Sequence, residues 1–295
     1  MKFAAIDIGS NAIRFLITEV IGNNAAPKYK KRLFVRVPIR LGEDVFVNQK
    51  ISEQKIEKLT KAIGSFKTIM DIFGVKSYMA CGTSALREAE NGKKVTEAIR
   101  EQTAVKVEIV DGKREAEIIY NCHVAEKLNH NKSYLYIDVG GGSTELTLFA
   151  QKKMVYSNSF PVGAIRLLLK KVSVNEWDAM KEIVKTISKD HHPLIAIGTG
   201  GNINKLCKLT GSEKKLLSYK DVKELHGQLE QLTMEQRIKK FDLNEDRADV
   251  IVPAAKIYLS VMKWADISEI HVPRLGLADG IINLLNEKQQ SAAVS

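Results

Sequence analysis

Residues 138–145 read Asp-Val-Gly-Gly-Gly-Ser-Thr-Glu and follow directly on the apolar run Tyr134-Leu135-Tyr136-Ile137. Each glycine loses more backbone freedom on folding than any other residue, so three in a row after a buried strand are costly. The cost makes sense where the backbone has to approach something closely. Amide N–H groups lining a tight turn form an anion-binding concavity, and phosphate oxygens are the natural occupant. Asp138, at the end of the strand, adds a hard oxygen that can hold magnesium directly or through water.

A second turn of this kind lies near the N-terminus, where residues 2–8 read as a buried strand ending in Asp7-Ile8-Gly9-Ser10-Asn11. Gly9 allows close approach to an anion, and Ser10 and Asn11 add side-chain donors. A third is Gly198-Thr199-Gly200-Gly201-Asn202, placed between a strand over 194–198 and a helix over 203–209. Glycine turns that feed helix N-termini attract phosphate.

Asp7 and Asp138 stand 131 residues apart, and the pattern around them repeats. The first copy predicts strands over 2–8, 12–20 and 28–38. It continues with a helix over 52–73 (Ser52 as N-cap, Gly74 as stop), a strand over 75–81, a helix over 91–102, a strand over 105–110 and a helix over 114–127. The second predicts strands over 134–138, 144–150, 153–161 and 194–198, with a helix over 175–189 and His191 and His192 in a loop before Pro193. Helices over 219–231, 247–264 and 276–287 and a strand over 268–272 complete it. A repeat of this length is a duplicated domain, not a solenoid. Hairpin meanders followed by crossover helices imply mixed sheets covered by helices. The polar stretch 124–132, with Lys127, Asn129, His130, Asn131 and Lys132, is the expected boundary. The domains are then residues 1–124 and 125–279, with a C-terminal helix over about 280–295 packing back on the first.

The 295 residues carry 44% hydrophobic and 27% charged side chains, as a folded globular enzyme does. Forty-five Lys and Arg against 35 Asp and Glu give a formal net charge of +10. That balance favours a polyanionic partner. The basic residues are scattered, so no tail of like charge points to nucleic acid. Cys81, Cys122 and Cys207 are too few and too widely spaced for a disulfide framework or a zinc site. No apolar run is long enough to span a membrane, and the N-terminus lacks a signal-peptide pattern. Both features lead to the expectation of a cytoplasmic protein.

Three glycine turns at strand ends, two of them led by Asp, resemble the phosphate-binding hairpins of the actin, Hsp70 and sugar-kinase superfamily. The resemblance narrows on four motifs: Asp7 to Asn11, Gly82-Thr83-Ser84-Ala85-Leu86-Arg87, Gly112-Lys113-Arg114-Glu115-Ala116, and Asp138 to Leu146. Together, in this order and spacing, they look like the exopolyphosphatase and guanosine pentaphosphate phosphohydrolase (Ppx/GppA) family. The resemblance implies an α/β, duplicated actin-like (ribonuclease H-like) fold, with two mixed five-stranded sheets flanking a cleft. It also implies release of terminal phosphate from inorganic polyphosphate or pppGpp, dependent on Mg2+ or Mn2+, and a homodimer. Trp177, Trp264 and Tyr258 fit either a dimer surface or a core.

Residue by residue, the resemblance makes Glu115 the catalytic carboxylate, Glu145 the second acid, Arg87 the phosphate-gripping arginine and Asp138 the metal-associated aspartate. Asp7 and Glu145 are further candidate metal ligands. Phosphate contacts fall to Gly9, Ser10, Asn11, Thr83, Ser84, Gly140, Gly141, Gly142, Ser143, Gly198, Thr199, Gly200, Gly201 and Asn202. These assignments suit the chemistry. Phosphoanhydride hydrolysis needs a positioned water, neutralised phosphoryl oxygens and a stabilised leaving group. Two neighbouring carboxylates such as Glu115 and Glu145 would raise one another's proton affinity, as suits a general base. An ATP-dependent kinase of the same superfamily and a non-catalytic alarmone or polyphosphate sensor are the alternatives. Many family members carry extra C-terminal helical domains, which are not expected within these 295 residues. Gly276-Leu277-Ala278-Asp279-Gly280 also stands where relatives often have Gly-Leu-Arg-Glu-Gly, so an arginine contact is missing there.

Overall fold

The computed structural model describes residues 1–22, 27–120, 129, 131–212 and 215–294. It divides the chain into two compact units, Met1–Val124 with Leu277–Ser295, and Ala125–Gly276. Most of the polar stretch 124–132, including Lys127 and His130, lies outside the described residues, as does Cys122.

In the first unit, β1 (Lys2–Ile8), β2 (Ile13–Ile21) and β3 (Lys28–Val37) form an antiparallel meander. β4 (Ser77–Gly82) and β5 (Val107–Ile109) add in parallel on the other side of β1, giving the order β3-β2-β1-β4-β5. Nearly every side chain of β1 is buried, because helices cover the sheet on either face. The helix α2 (Glu53–Phe73) buries Leu59, Ile63, Phe66 and Met70, and the ring of Phe66 stacks on Phe15 at 4.5 Å. It stops at Gly74, which adopts φ 62°. Only a residue without Cβ takes that conformation cheaply, and its amide and that of Val75 cap the last carbonyls. Ser52 occupies the N-cap position, but its side chain makes no capping bond. Its backbone amide instead donates to Asp44 Oδ2 at 3.0 Å.

The second unit repeats the design with β6 (Ser133–Val139), β7 (Thr144–Ala150) and β8 (Lys153–Phe160) as the meander. β9 (Leu194–Thr199) lies parallel to β6, and β11 (Glu269–His271) parallel to β9. This sheet has six strands, not the expected five. The extra one, β10 (Leu216–Ser218), pairs antiparallel with β11 at the edge. Three residues are too few to show a period-2 pattern. The helix expected over 247–264 is two, α11 (Glu245–Ala248) and α12 (Ile251–Trp264). Pro253 explains the break. It has no N–H and fits only in a first turn, where that donor has no partner to lose.

Among the short helices that escape the pattern reading, two occupy corresponding places in the two units. α1 (Leu41–Asn48) follows β3, and α6 (Ala164–Leu168) follows β8 at the corresponding place. Each is too short to display helical periodicity. The last helix, α13 (Leu277–Val294), belongs to the first unit. Its Leu277, Ala278, Ile281, Ile282 and Leu285 share a core with Phe3, Leu16 and Ile118. Trp177 and Trp264 pack edge to face at 5.5 Å, and Tyr258 is wholly buried. Among the described residues, no helix is long and apolar enough to cross a membrane.

Candidate functional site

In the first unit, the turn after β1 closes with a bond from Gly9 N–H to Ala12 O at 3.2 Å. Ser10 and Asn11 are buried in it. Thr83 sits beside this turn, because its amide and hydroxyl both donate to Ile8 O. Ser84 opens α3 (Ser84–Glu88) and donates to Glu88 Oε1 at 2.9 Å. One turn on, Arg87 Nη1 donates to Val110 O at 2.9 Å and stands 3.7 Å from Glu115 Oε2. Glu115 lies in the first turn of α5 (Gly112–Tyr120). The backbone bond to Val110 fixes one edge of the Arg87 guanidinium, so the candidate acid and the candidate phosphate grip sit side by side. Behind them, Cys81 is buried. Desolvation, then the charges of Glu108, Asp7 and Glu115, push its thiol up to about 12.

Asp7 was expected to ligate a metal. It is buried at the end of β1, and Arg14 Nη1 binds its Oδ2 at 2.5 Å. A carboxylate neutralised by a guanidinium at that distance is a poor cation ligand, so the fit is against a metal at Asp7.

The second unit differs at the corresponding place. Strand register puts Asp138 of β6 directly opposite Glu145 of β7. Ser159 of β8 follows beyond Glu145, and Thr199 of β9 beyond Asp138. Thr199 Oγ1 donates to Asp138 Oδ2 at 3.0 Å. Ser143 and Ser159 donate to Glu145 Oε1 at 2.5 and 2.8 Å. Thus the carboxylate that register sets beside Glu145 is Asp138. Two like charges facing across strands are destabilising on their own. A hard divalent cation would relieve that repulsion, and oxygen donors of this kind suit magnesium, which keeps most of its waters. Among the described residues, no group of three or more His, Cys, Asp or Glu could hold a metal. Asp138 and Glu145 are the two residues of this row whose carboxylates could share such an ion.

The glycine turn beside this pair closes with Gly140 N–H to Ser143 O at 2.9 Å, the counterpart of the Gly9 bond. Among the described residues, the amides of Gly141, Gly142 and Ser143 have no protein acceptor. In the third turn, Gly200 has φ 84°, and a methyl group there would collide with Asp138 Oδ1, so only glycine fits. Gly198 lies inside β9, where a Cβ would strike Ile203 and Ile270. It is a packing position for α8 (Gly200–Leu209). Asn202 turns inward and donates to Val139 O at 2.7 Å, while Arg247 Nη1 donates to Gly201 O and Asn202 Oδ1.

Sequence reasoning missed the parts played by Arg14, Arg166, Arg247 and Tyr258. Tyr258 Oη accepts from Val139 N–H and donates to Thr199 O, bolting together the ends of β6 and β9. Burial, followed by the charge of Asp138, holds its phenol well above the ordinary value. A detectable signal existed for one of these four: Arg14 and Glu145 stand at the same 131-residue offset as Asp7 and Asp138.

The strand order, the duplicated hairpins and the glycine turns define an actin-like two-domain fold with a glycine-containing turn at the strand ends of each unit. A model of the Ppx/GppA phosphatase family matches residues 35–288, and the chain belongs to that family. It is 25% identical over 307 residues to exopolyphosphatase 1 of Mycobacterium tuberculosis, covering 96% of this chain and 87% of that protein. It is 27% identical over 288 residues to the bifunctional 3-dehydroquinate synthase/phosphatase of Fusobacterium nucleatum, and there it spans only 43% of the relative. The solved exopolyphosphatase from Cytophaga hutchinsonii superposes with a TM-score of 0.84 at 25% identity, over 98% of both chains.

Proposed function

We propose that this phosphatase is a divalent-metal-dependent exopolyphosphatase that releases terminal orthophosphate from inorganic polyphosphate. The observation that carries the reading is the facing pair Asp138 and Glu145 beside a turn in which three amides have no protein acceptor. Such a pair joins a cation position to an anion position, as a metal–phosphate substrate requires. Bound there, magnesium would neutralise charge on phosphoryl oxygens.

The side chains supply the rest. Arg87 presents a planar fork to phosphate oxygens that Lys could not reproduce. Glu115, beside it, orients a water and takes its proton as the water oxygen attacks terminal phosphorus. The bond to the bridging oxygen breaks, and the shortened chain leaves with that electron pair. Glycine-turn amides hold the oxygens on which charge accumulates. pppGpp presents the same terminal anhydride and is the second substrate under this reading.

The test is phosphate release from polyphosphates of several lengths, pppGpp, ATP and pyrophosphate, each with and without Mg2+ or Mn2+. Metal-dependent release from polyphosphate is expected. Release that needs a second, acceptor substrate would identify a kinase instead, and tight binding without any release would identify a sensor.

A further inference from the structure

The direction of the three amides without a protein acceptor in the Gly140–Ser143 turn depends on how the peptide planes are held from behind. In a trans peptide, the C=O of one residue and the N–H of the next point in opposite directions. Fixing the carbonyls of Gly140, Gly141 and Gly142 on one side therefore fixes the amides of Gly141, Gly142 and Ser143 on the other. The start of α6 does this. Ala164 N–H binds Gly140 O at 3.0 Å, and Ile165 and Arg166 N–H bind Gly141 O at 2.8 and 3.2 Å. The third carbonyl, Gly142 O, is held by a side chain, Arg166 Nε at 2.8 Å. Gly163 lets the chain come this close, since a Cβ there would overlap the backbone of Gly141 and Gly142.

The first unit shows that a side chain is not required for this task. There Ser10 O is held by Gly42 N–H at 2.8 Å, and Asn11 O by the backbone amide of Arg40 at 2.9 Å. Asn11 matches Gly142 at the 131-residue offset. One peptide of the Gly140–Ser143 turn therefore has its orientation entrusted to a guanidinium. The residue before that plane is glycine, which rotates freely when released. Arg166 is 8% exposed, too deep to serve as a surface cation.

We infer that Arg166 is a positioning residue: by locking the Gly142–Ser143 peptide it aims the Ser143 amide at a substrate phosphate oxygen. The inference deepens the exopolyphosphatase reading and rests on it for the identity of the anion. A charge-assisted bond to a buried carbonyl is among the stronger hydrogen bonds, and losing one aimed donor of a preorganised set costs rate.

The experiment compares Arg166→Ala and Arg166→Lys with the unaltered full chain. It follows phosphate release, and it follows backbone amide resonances during titration with tripolyphosphate and Mg2+. In the unaltered protein, tripolyphosphate is expected to shift the Gly141, Gly142 and Ser143 amides together. In Arg166→Ala the Ser143 response is lost while that of Gly141 persists, and kcat/KM falls about 10–100-fold with part of the loss in kcat. Added guanidinium at millimolar concentration restores part of the rate. Arg166→Lys, which cannot match the guanidinium's geometry, falls between and is not rescued.

A purely structural Arg166 would lower Tm yet leave the Ser143 response and kcat/KM of the folded fraction unchanged, overturning the inference. If Arg166→Ala does not fold, the Lys variant decides by the same amide response. If the unaltered chain binds tripolyphosphate without hydrolysing it, the exopolyphosphatase reading fails while the amide test still judges Arg166. If it shows no amide response to tripolyphosphate at all, the inference about Arg166 fails.

Discussion

The row across the end of the first sheet is Arg36, Arg14, Asp7 and Cys81. The matching row of the second is Ser159, Glu145, Asp138 and Thr199. The two hairpins share backbone, turn closure and spacing, yet where one places a guanidinium against its aspartate the other places a second carboxylate. A duplicated scaffold has been given opposite charge at equivalent positions. The first row favours an anion and silences its own Asp7. The second concentrates negative charge. A reading from the Asp-hydrophobic-Gly signature alone treats Asp7 and Asp138 alike. The residue seven positions on separates them.

The sharpest way to break the comparison lies beside the first row. Glu115→Gln should lower phosphate release about 10²–10⁴-fold, the span of a general base, while leaving Tm nearly unchanged. A variant with the original kcat would remove Glu115 from the chemistry. Next in size, Glu145→Gln should leave Asp138 as a single carboxylate. It should raise the Mg2+ needed for half-maximal release, and the Mg2+ needed to raise Tm, about 10–100-fold. An unaltered metal dependence in both measurements would make the carboxylate pair incidental.

Arg14→Met tests the other row. It strands the buried Asp7 carboxylate, a loss of about 2 kcal/mol that should lower the urea midpoint without changing the slope. The loss stays modest because Arg14 itself is 28% exposed. The smallest effect belongs to Cys81, whose thiol is raised to about 12 against an ordinary value of 9.0. Folding favours the protonated thiol, so its contribution is complete below pH 9 and is lost as pH climbs toward 12. Cys81→Ala should flatten the decline of Tm between about pH 9 and 10.5. An identical decline in both proteins would show that the thiol contributes nothing to it.

Much of this architecture was legible. Long periodic elements such as α2, and strands bounded by glycine turns, announce themselves through burial alone. The duplication was visible because two Asp-led turns recur at one offset. What stayed hidden was short or shared. The helices α1 and α6 span 8 and 5 residues, yet each donates backbone amides to carbonyls of the glycine turn in its unit. Arg166 carries no local motif, since its partner lies 24 positions earlier in the chain. Glu115 drew notice through the family motif, because its neighbours Arg114 and Glu117 are charged too. Gly198 shows the opposite error. It sits in a phosphate-like motif, but the constraint on it is packing against Ile203 and Ile270.

The return of Leu277–Ser295 to the first unit has a consequence for biogenesis. A ribosome finishes the contiguous unit Ala125–Gly276 before it supplies the last piece of the unit it began with. The earlier half must wait, its sheet bare where α13 belongs, until that helix emerges. A chain truncated before residue 277 should therefore expose Phe3, Leu16 and Ile118 to chaperones and proteases, whereas residues 125–276 expressed separately lose no distant strand or helix.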